Sequence, residues 1–494
     1  MKSKWPIVRI DDIKAESKNA ITIGPFGSRM KSDCYVDSGV AVIRGTNLGS
    51  NPVFINNFVY ITEEKANELA SCNVYKDDLV FPHRGSIGEV GIVGGDLRYV
   101  LSSSLMKLTC DRKKAVPKFI YYFFKSSLGR HELLKNASQV GTPGIGQPLT
   151  SLKSIELPLP PLKIQKNTAT TLGLLDDKIQ LNHQINQTLE QIAQAIFKSW
   201  FVDFEPVKAR IAALEADGSE EDALLAAMQA ISGAALFDAD ASAAGAEEQL
   251  ARLQAERPEQ YAELRATAEL FPSAMQESEL GEIPEGWEAL PLSKMIELIG
   301  GGTPKKSEPS FWNGEICWFS VKDVPAAGNV FVVDTSDKIT EEGLKRSSTK
   351  LLPVGATIIT ARGTVGKLAL TGISTAMNQS CYGVIGSNGT GPYLNYLQLY
   401  SAVDTLKRNT HGAVFDTITQ STFETVMQPR SCLSLRQRFE QTITPLFETI
   451  RNNLLQSNTL SDTRDFLLPK LLSGELSATG TDAQLAEIEE SANV

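Results

Sequence analysis

The stretch LLDDKIQLNHQINQTLEQIAQAIFKSW, residues 174–200, decides how this chain is read. Alternate steps of four and three pass through Leu175, Ile179, Asn182, Asn186, Leu189, Ala193, Ile196 and Trp200. That spacing keeps one seam of a helix against a partner helix. A second tract 271 positions further on takes the same steps through Leu446, Ile450, Asn453, Ser457, Leu460, Arg464, Leu467 and Leu471. Asn182 and Asn453 coincide at a seam position, where a polar pair lowers stability and fixes register. Both tracts carry a breaker at nearly the same place, Gly173 and Pro445, so each helix is predicted to start or bend there. Leu174 to Phe204 is 31 residues, or about 47 Å at 1.5 Å per residue.

The repeat extends outward from the helices. Lys4-Trp5-Pro6 corresponds to Gly286-Trp287-Glu288, and Gly24-Pro25-Phe26-Gly27-Ser28 to Gly300-Gly301-Gly302-Thr303-Pro304. Val42-Ile43-Arg44-Gly45-Thr46-Asn47 falls on Trp318-Phe319-Ser320-Val321-Lys322-Asp323. The clearest local identity is Arg84-Gly85-Ser86-Ile87-Gly88 with Arg362-Gly363-Thr364-Val365-Gly366. Around these motifs, short runs rich in Val, Ile, Phe and Tyr alternate with Gly, Pro and Asn turns, and each block has one predicted helix, 116–137 and 392–408. The fold class is therefore α/β (α+β). Two globular blocks are expected, separated by two long antiparallel coiled-coil helices and related by a pseudo-twofold axis. The predicted order is a first block (1–155), a first helical region (156–204), an insertion and linker (205–285), a second block (286–430), a second helical region (431–476) and a flexible tail (477–494).

A chain of 494 residues is too long for one ordinary core. Its net charge of −10 argues against a nucleic-acid partner only until it is located. The five segments 1–160, 161–204, 205–285, 286–430 and 431–494 carry +6, 0, −13, +1 and −4. One Ala-rich acidic insertion thus holds more than the whole net charge, and the first block is basic enough to meet a phosphate backbone. The insertion reads as short helical runs (210–215, 222–231 and 246–267) broken at Gly218, Gly233, Gly245 and Pro258. No signal peptide or membrane-length apolar span is legible, so a cytoplasmic protein is expected. The six cysteines are widely spaced, so no zinc or redox site is expected.

An antiparallel helix pair with a globular block at each end makes a ruler. On a duplex advancing one turn per about 34–36 Å, it would read two short elements across an unread spacer. Candidate DNA contacts are polar residues in loops that follow strands. They are Arg44, Thr46, Asn47, His83 and Arg84 in the first block, with Ser320, Lys322, Asp323 and Arg362 in the second. Ser28, Arg29 and Lys31, and Thr303, Lys305 and Lys306, follow the glycine turns as candidate phosphate clamps. Both Arg-Gly motifs also read as tight turns whose arginine pairs with a nearby carboxylate. No metal site is expected, because His83, His131, His183 and His411 are isolated. A phosphate loop needs GxxxxGK[ST], which Gly363-Thr364-Val365-Gly366-Lys367-Leu368 does not supply. The Asn/Asp-Pro-Pro-aromatic tetrapeptide of a base-flipping methyltransferase is also missing from the chain.

The linkers between blocks resemble those of the specificity (S) subunits of type I restriction-modification enzymes. The resemblance rests on Leu157-Pro158-Leu159-Pro160-Pro161-Leu162, the run from Phe197 to Val207, Leu270-Phe271-Pro272, the run from Ser278 to Trp287, and the run from Arg464 to Leu476. It implies two target recognition domains and no catalysis by the chain itself. It also implies assembly with two methyltransferase (modification) subunits and two restriction/translocase subunits on double-stranded DNA. S-adenosylmethionine, ATP and Mg²⁺ would bind those partners, with no cofactor in this chain. Two other readings stand beside this one. The first is a metal-dependent nuclease using Asp37, Glu63 and Lys65; the second is a coiled-coil adaptor that does not bind DNA.

Overall fold

The computed structural model describes residues 4–26, 29–49, 54, 57–138, 143–236, 243–410 and 417–476, with only the backbone at 234–236 and 243–247. Ser28, His411 and the tail 477–494 lie outside the described residues. Two compact units form, one from residues 1–180 with 457–494, the other from 181–456.

Both heptad tracts are helical, and longer than the breakers predict: Leu162–Phe201 has 40 residues and Leu433–Ser473 has 41. At 1.5 Å per residue each runs about 60 Å. Neither helix starts at its breaker. Gly173 serves a different purpose, since a Cβ there would meet Lys118 Nζ at 2.4 Å. Glycine lets that lysine, from the first block's own helix, cross the long helix.

The helices pair antiparallel in each unit. In the 181–456 unit, Asn182 Nδ2 donates to the Asn453 carbonyl (3.3 Å) and to Gln456 Oε1 (2.8 Å), and Asn186 Nδ2 donates to the Ile450 carbonyl (3.3 Å). In the other unit, Asp176 meets Arg464 at 2.7 Å. Ile179, Asn182, Ile196 and Ile450 are buried as the seam requires. Leu189, Leu446 and Leu467 are half-buried against their cores, while Asn453, Leu175 and Leu460 are half-buried. One turn of the seam runs through the next residue instead: Asp176 and Phe447 are buried where Leu175 and Leu446 were expected. The reason is that a helix of 3.6 residues per turn drifts against a strict seven-residue step.

The globular part of the first unit contains two four-stranded sheets. One has the order Ile21–Ile23, Leu105–Leu108, Leu79–Pro82, Gly91–Ile92. The other has the order Val59–Ile61, Val40–Ile43, Tyr99–Leu101, Asn73–Val74, with 40–43 parallel to 99–101. The second unit repeats the plan. Ile296–Gly300, Cys381–Gly386, Thr357–Thr360, Leu368–Thr371 and Phe331–Val332 form one sheet. Asp337–Ile339, Trp312–Phe319 and Thr375–Met377 form the other, with 312–319 parallel to 375–377. A two-stranded clasp closes each block beside its helix, 7–9 with 156–158 and 288–291 with 427–430.

The first block's helix breaks in two, Pro117–Lys125 and Ser127–Leu134, because Ser126 caps the second piece and Gly129 packs on the Phe123 carbonyl. Phe119, Ile120, Tyr121, Tyr122, Phe123 and Phe124 are all buried, since sheet and long helices cover this helix on every side. Its counterpart Pro392–Arg408 coincides with the expected span. The insertion folds as Glu205–Glu215, Glu220–Leu236, Ala243–Glu256 and Pro258–Ala268. Gly233 and Gly245 lie within helices, while Pro258 breaks the expected run 246–267. Phe197, Trp200, Phe201, Phe204 and Val207 form one core with Leu224, Met228, Phe271, Trp287 and Phe439.

Candidate nucleic-acid interface

In each block the loops leaving the strands converge on one edge. In the first block, Ser102 N bonds the Ile43 carbonyl (2.9 Å), His83 N bonds the Ser104 carbonyl (2.9 Å), and Arg84 bridges to Gly144. A Cβ on Gly24 would lie 1.9 Å from the Ser102 carbonyl oxygen. In the second block, Asn378 N bonds the Phe319 carbonyl (3.0 Å) and Ala361 N bonds the Ser380 carbonyl (2.7 Å). A Cβ on Gly301 would lie 1.9 Å from the Asn378 carbonyl oxygen. Gly301, rather than Gly300, is therefore the counterpart of Gly24, one residue from the expected alignment. In both copies, only a residue without a side chain lets the two loops touch.

The Arg-Gly motifs are tight turns in both copies, with φ of +80° and +92° at Gly85 and Gly88, and +76° and +78° at Gly363 and Gly366. Arg84 and Arg362 stay exposed, and neither has a carboxylate partner among the described residues. The turn is thus present without the pairing that the alternative reading gave it.

Three residues expected to face DNA build turns instead. Asn47 is fully buried; its Oδ1 accepts from Arg44 N (2.8 Å) and its Nδ2 donates to the Asn57 carbonyl (3.1 Å). Asp323 does the same for its own loop, accepting from Ser320 N (2.8 Å), Ser320 Oγ (2.9 Å) and Ser336 N (2.7 Å). Ser320 and Asp323 are consequently spent within the turn. Arg44 donates to the Asn57 carbonyl at 2.7 Å. Thr46 and Lys322, one residue before the capping position in each copy, are exposed.

His83 is also corrected. It is buried, its Nε2 lies 3.1 Å from the Ser103 carbonyl, and burial lowers its pKa below the usual value. A neutral ring donating to that carbonyl anchors the loop from inside. Arg29 and Lys31 are exposed, but Arg29 reaches the Glu68 carbonyl (3.4 Å), on the side of the helix Glu63–Glu68. Thr303 Oγ1 donates to Gln379 Oε1, which places it on the second edge, and Lys305 and Lys306 lie exposed just beyond.

The central turns of both edges were missed, Ser102-Ser103-Ser104 and Asn378-Gln379-Ser380. A polar triplet between two apolar runs is the signal that marks them, and Gln379 is exposed there. The nuclease constellation does not form: Glu63 pairs with Arg98, and Lys65 with Glu68. Among the described residues no group of three or more His, Cys, Asp or Glu could hold a metal, and no helix is long and apolar enough to cross a membrane.

A family profile described as the type I restriction modification DNA specificity domain matches residues 3–191 and 284–427. The chain is 32% identical over 447 residues to the type I restriction enzyme HindI specificity subunit of Haemophilus influenzae, covering 87% of this chain and 94% of that protein. It is 26% identical over 437 residues to the MjaIX specificity subunit of Methanocaldococcus jannaschii, covering 85% and 84%. The fold is similar to the crystal structure of a type I S subunit from M. genitalium, with a TM-score of 0.50 at 14% identity over 95% of this chain and 96% of that one. Fold, repeat and relatives agree, and the chain belongs to the family of type I restriction-modification DNA specificity subunits.

Proposed function

We propose that each block reads one half of a bipartite double-stranded DNA target through its loop edge, and that the chain is the non-catalytic scaffold of the complex. The observation that carries this is the duplication of the edge: glycine contact, capped turn, Arg-Gly turn and polar triplet recur in both blocks at matching places. Arg84, Arg362, Lys305, Lys306 and Lys322 suit phosphates as exposed cations. Thr46 and Gln379 offer hydroxyl and amide groups to base edges. Two modification subunits would bind along the long helices and two restriction subunits would join them, in the cytoplasm. These partners would supply S-adenosylmethionine, ATP and Mg²⁺.

The test is single-molecule sequencing of DNA methylated by the assembled complex. Gln379→Ala and Lys322→Ala are expected to act differently. Loss of a base contact relaxes one half-site only, whereas loss of a phosphate contact weakens all sequences and lowers the salt slope by about 1. Methylation without sequence preference would refute the proposal.

A further inference from the structure

Tyr122 and Asp176, both buried, form a polar triad with half-buried Arg464 in the first unit. Tyr122 Oη donates to Asp176 Oδ2 at 2.6 Å, and Arg464 Nη1 donates to Asp176 Oδ1 at 2.7 Å. Three elements meet there, the block's own helix and both long helices. By the 271-residue offset, the positions matching Asp176 and Arg464 in the other unit are Phe447 and Ala193, both fully buried in one apolar core. There Tyr393 stacks on Phe447 with ring centroids 4.5 Å apart. An apolar filling therefore serves this position in one copy, and a buried ion pair adds little stability over such a filling. What the ion pair adds is direction, because charge-assisted hydrogen bonds hold angles that apolar contacts let slide.

A second polar cluster reaches the loop edge. Lys125, on the same helix face as Tyr122, donates to the Gly49 carbonyl at 2.9 Å and pairs with Glu89 at 3.5 Å. Arg130 holds Glu89 from the other side at 3.3 Å. Gly49 follows the turn that Asn47 caps, and Glu89 follows the Arg84 turn. All these groups line one cleft of about 640 Å³. Seam and reading edge thus face one cleft through two polar clusters, which Pro117–Lys125 carries three residues apart at Tyr122 and Lys125.

We propose that Tyr122, Asp176, Arg464 and Lys125 are positioning residues: they set the angle of the first block on its helix pair, and so the spacer length at which the two half-sites are accepted. The inference rests on the bipartite reading above. One base pair shifts a half-site by about 3.4 Å along the axis, far more than a hydrogen bond of these clusters tolerates.

The experiment uses the full chain assembled with its modification subunits. Methyl transfer is measured on duplexes carrying both half-sites with the natural spacer and with one base pair added or removed. Wild type is expected to prefer the natural spacer by about tenfold or more. Tyr122→Phe, Lys125→Met and the double variant Asp176→Leu/Arg464→Met are each expected to reduce that preference by about three- to tenfold, with half-site sequence unchanged. Tyr122→Phe removes one hydroxyl and keeps the packing, so it reports even where the double variant folds poorly. If the variants keep the wild-type spacer profile and only their thermal unfolding moves, these residues are merely structural and the proposal is overturned. A wild-type complex that ignores the second half-site would overturn the bipartite reading as well.

Discussion

Replacing Glu440 by Ala should free the start of the helix Pro392–Arg408. Its N-cap is Gly391, which has no side chain to accept the first amides. Glu440, arriving from the second long helix, does so instead: Oε1 accepts from Tyr393 N (3.0 Å) and Oε2 from Leu394 N (2.9 Å). A Cβ on Gly391 would lie 2.2 Å from Glu440 Cδ, so residue 391 is glycine because its cap comes from elsewhere in the chain. A lost N-cap costs about 0.5–2 kcal/mol, and a hydrogen bond to a charged group about 1.5–3 kcal/mol. Because both amides share one half-buried carboxylate, the expected loss is about 2–4 kcal/mol. Glu440→Gln keeps one acceptor and should lose about 1 kcal/mol. Burial raises the Glu440 pKa above its ordinary 4.5, and the two amides oppose it. Between pH 4.5 and its raised native value the native state therefore holds more of this proton than the unfolded state does. This contribution is full below 4.5 and fades as pH rises through the native value. Glu440→Gln abolishes that slope. Hydrogen exchange of the amides at 393 and 394, read by mass spectrometry, is the assay. Exchange in Glu440→Ala at the wild-type rate would refute the reasoning.

Gly24→Ala and Gly301→Ala should each destabilise their own block by about 1–3 kcal/mol or more through overpacking, detected as accelerated exchange in that block alone. Trp200→Ala empties a fully buried site against Phe271 and Phe439 and should cost about 3–5 kcal/mol in denaturant unfolding. His83 titrates below its ordinary 6.5 because burial disfavours its charge. The unfolded state then binds the extra proton first, so the first block should weaken as pH falls below 6.5, and an NMR titration should place the midpoint below that value.

The repeat, the helix pair and the α/β class were all legible, because an apolar seam of constant offset is a direct record of burial. The sheets were legible as strands but not as pairings, since the parallel contact of 40–43 with 99–101 joins segments with no local signal. The site was legible in part. Arg84, Arg362 and Lys322 stand exposed, whereas Asn47 and Asp323 turn back on their own loops. An Asn or Asp four residues after a strand end competes for backbone amides, and that tendency is itself a sequence signal. His83 was misplaced because isolated histidines carry no mark of burial. Glu440 was invisible for the same kind of reason: a cap supplied from another element leaves only a glycine behind.

The unequal pair of junctions bears on how such chains can evolve. Built from two copies of its first half, the chain would set the buried Asp176 carboxylate opposite Ala193. Two copies of the second half would set Arg464 opposite Phe447. The first product strands a buried carboxylate, at about 3–5 kcal/mol for an uncompensated one, and the second leaves half-buried Arg464 only its neighbour Asp465 as a partner. Exchange of recognition blocks within 1–155 or 286–430 leaves these four positions untouched. Recombination can therefore rewrite what each block reads while the helices record which half must be inherited with which.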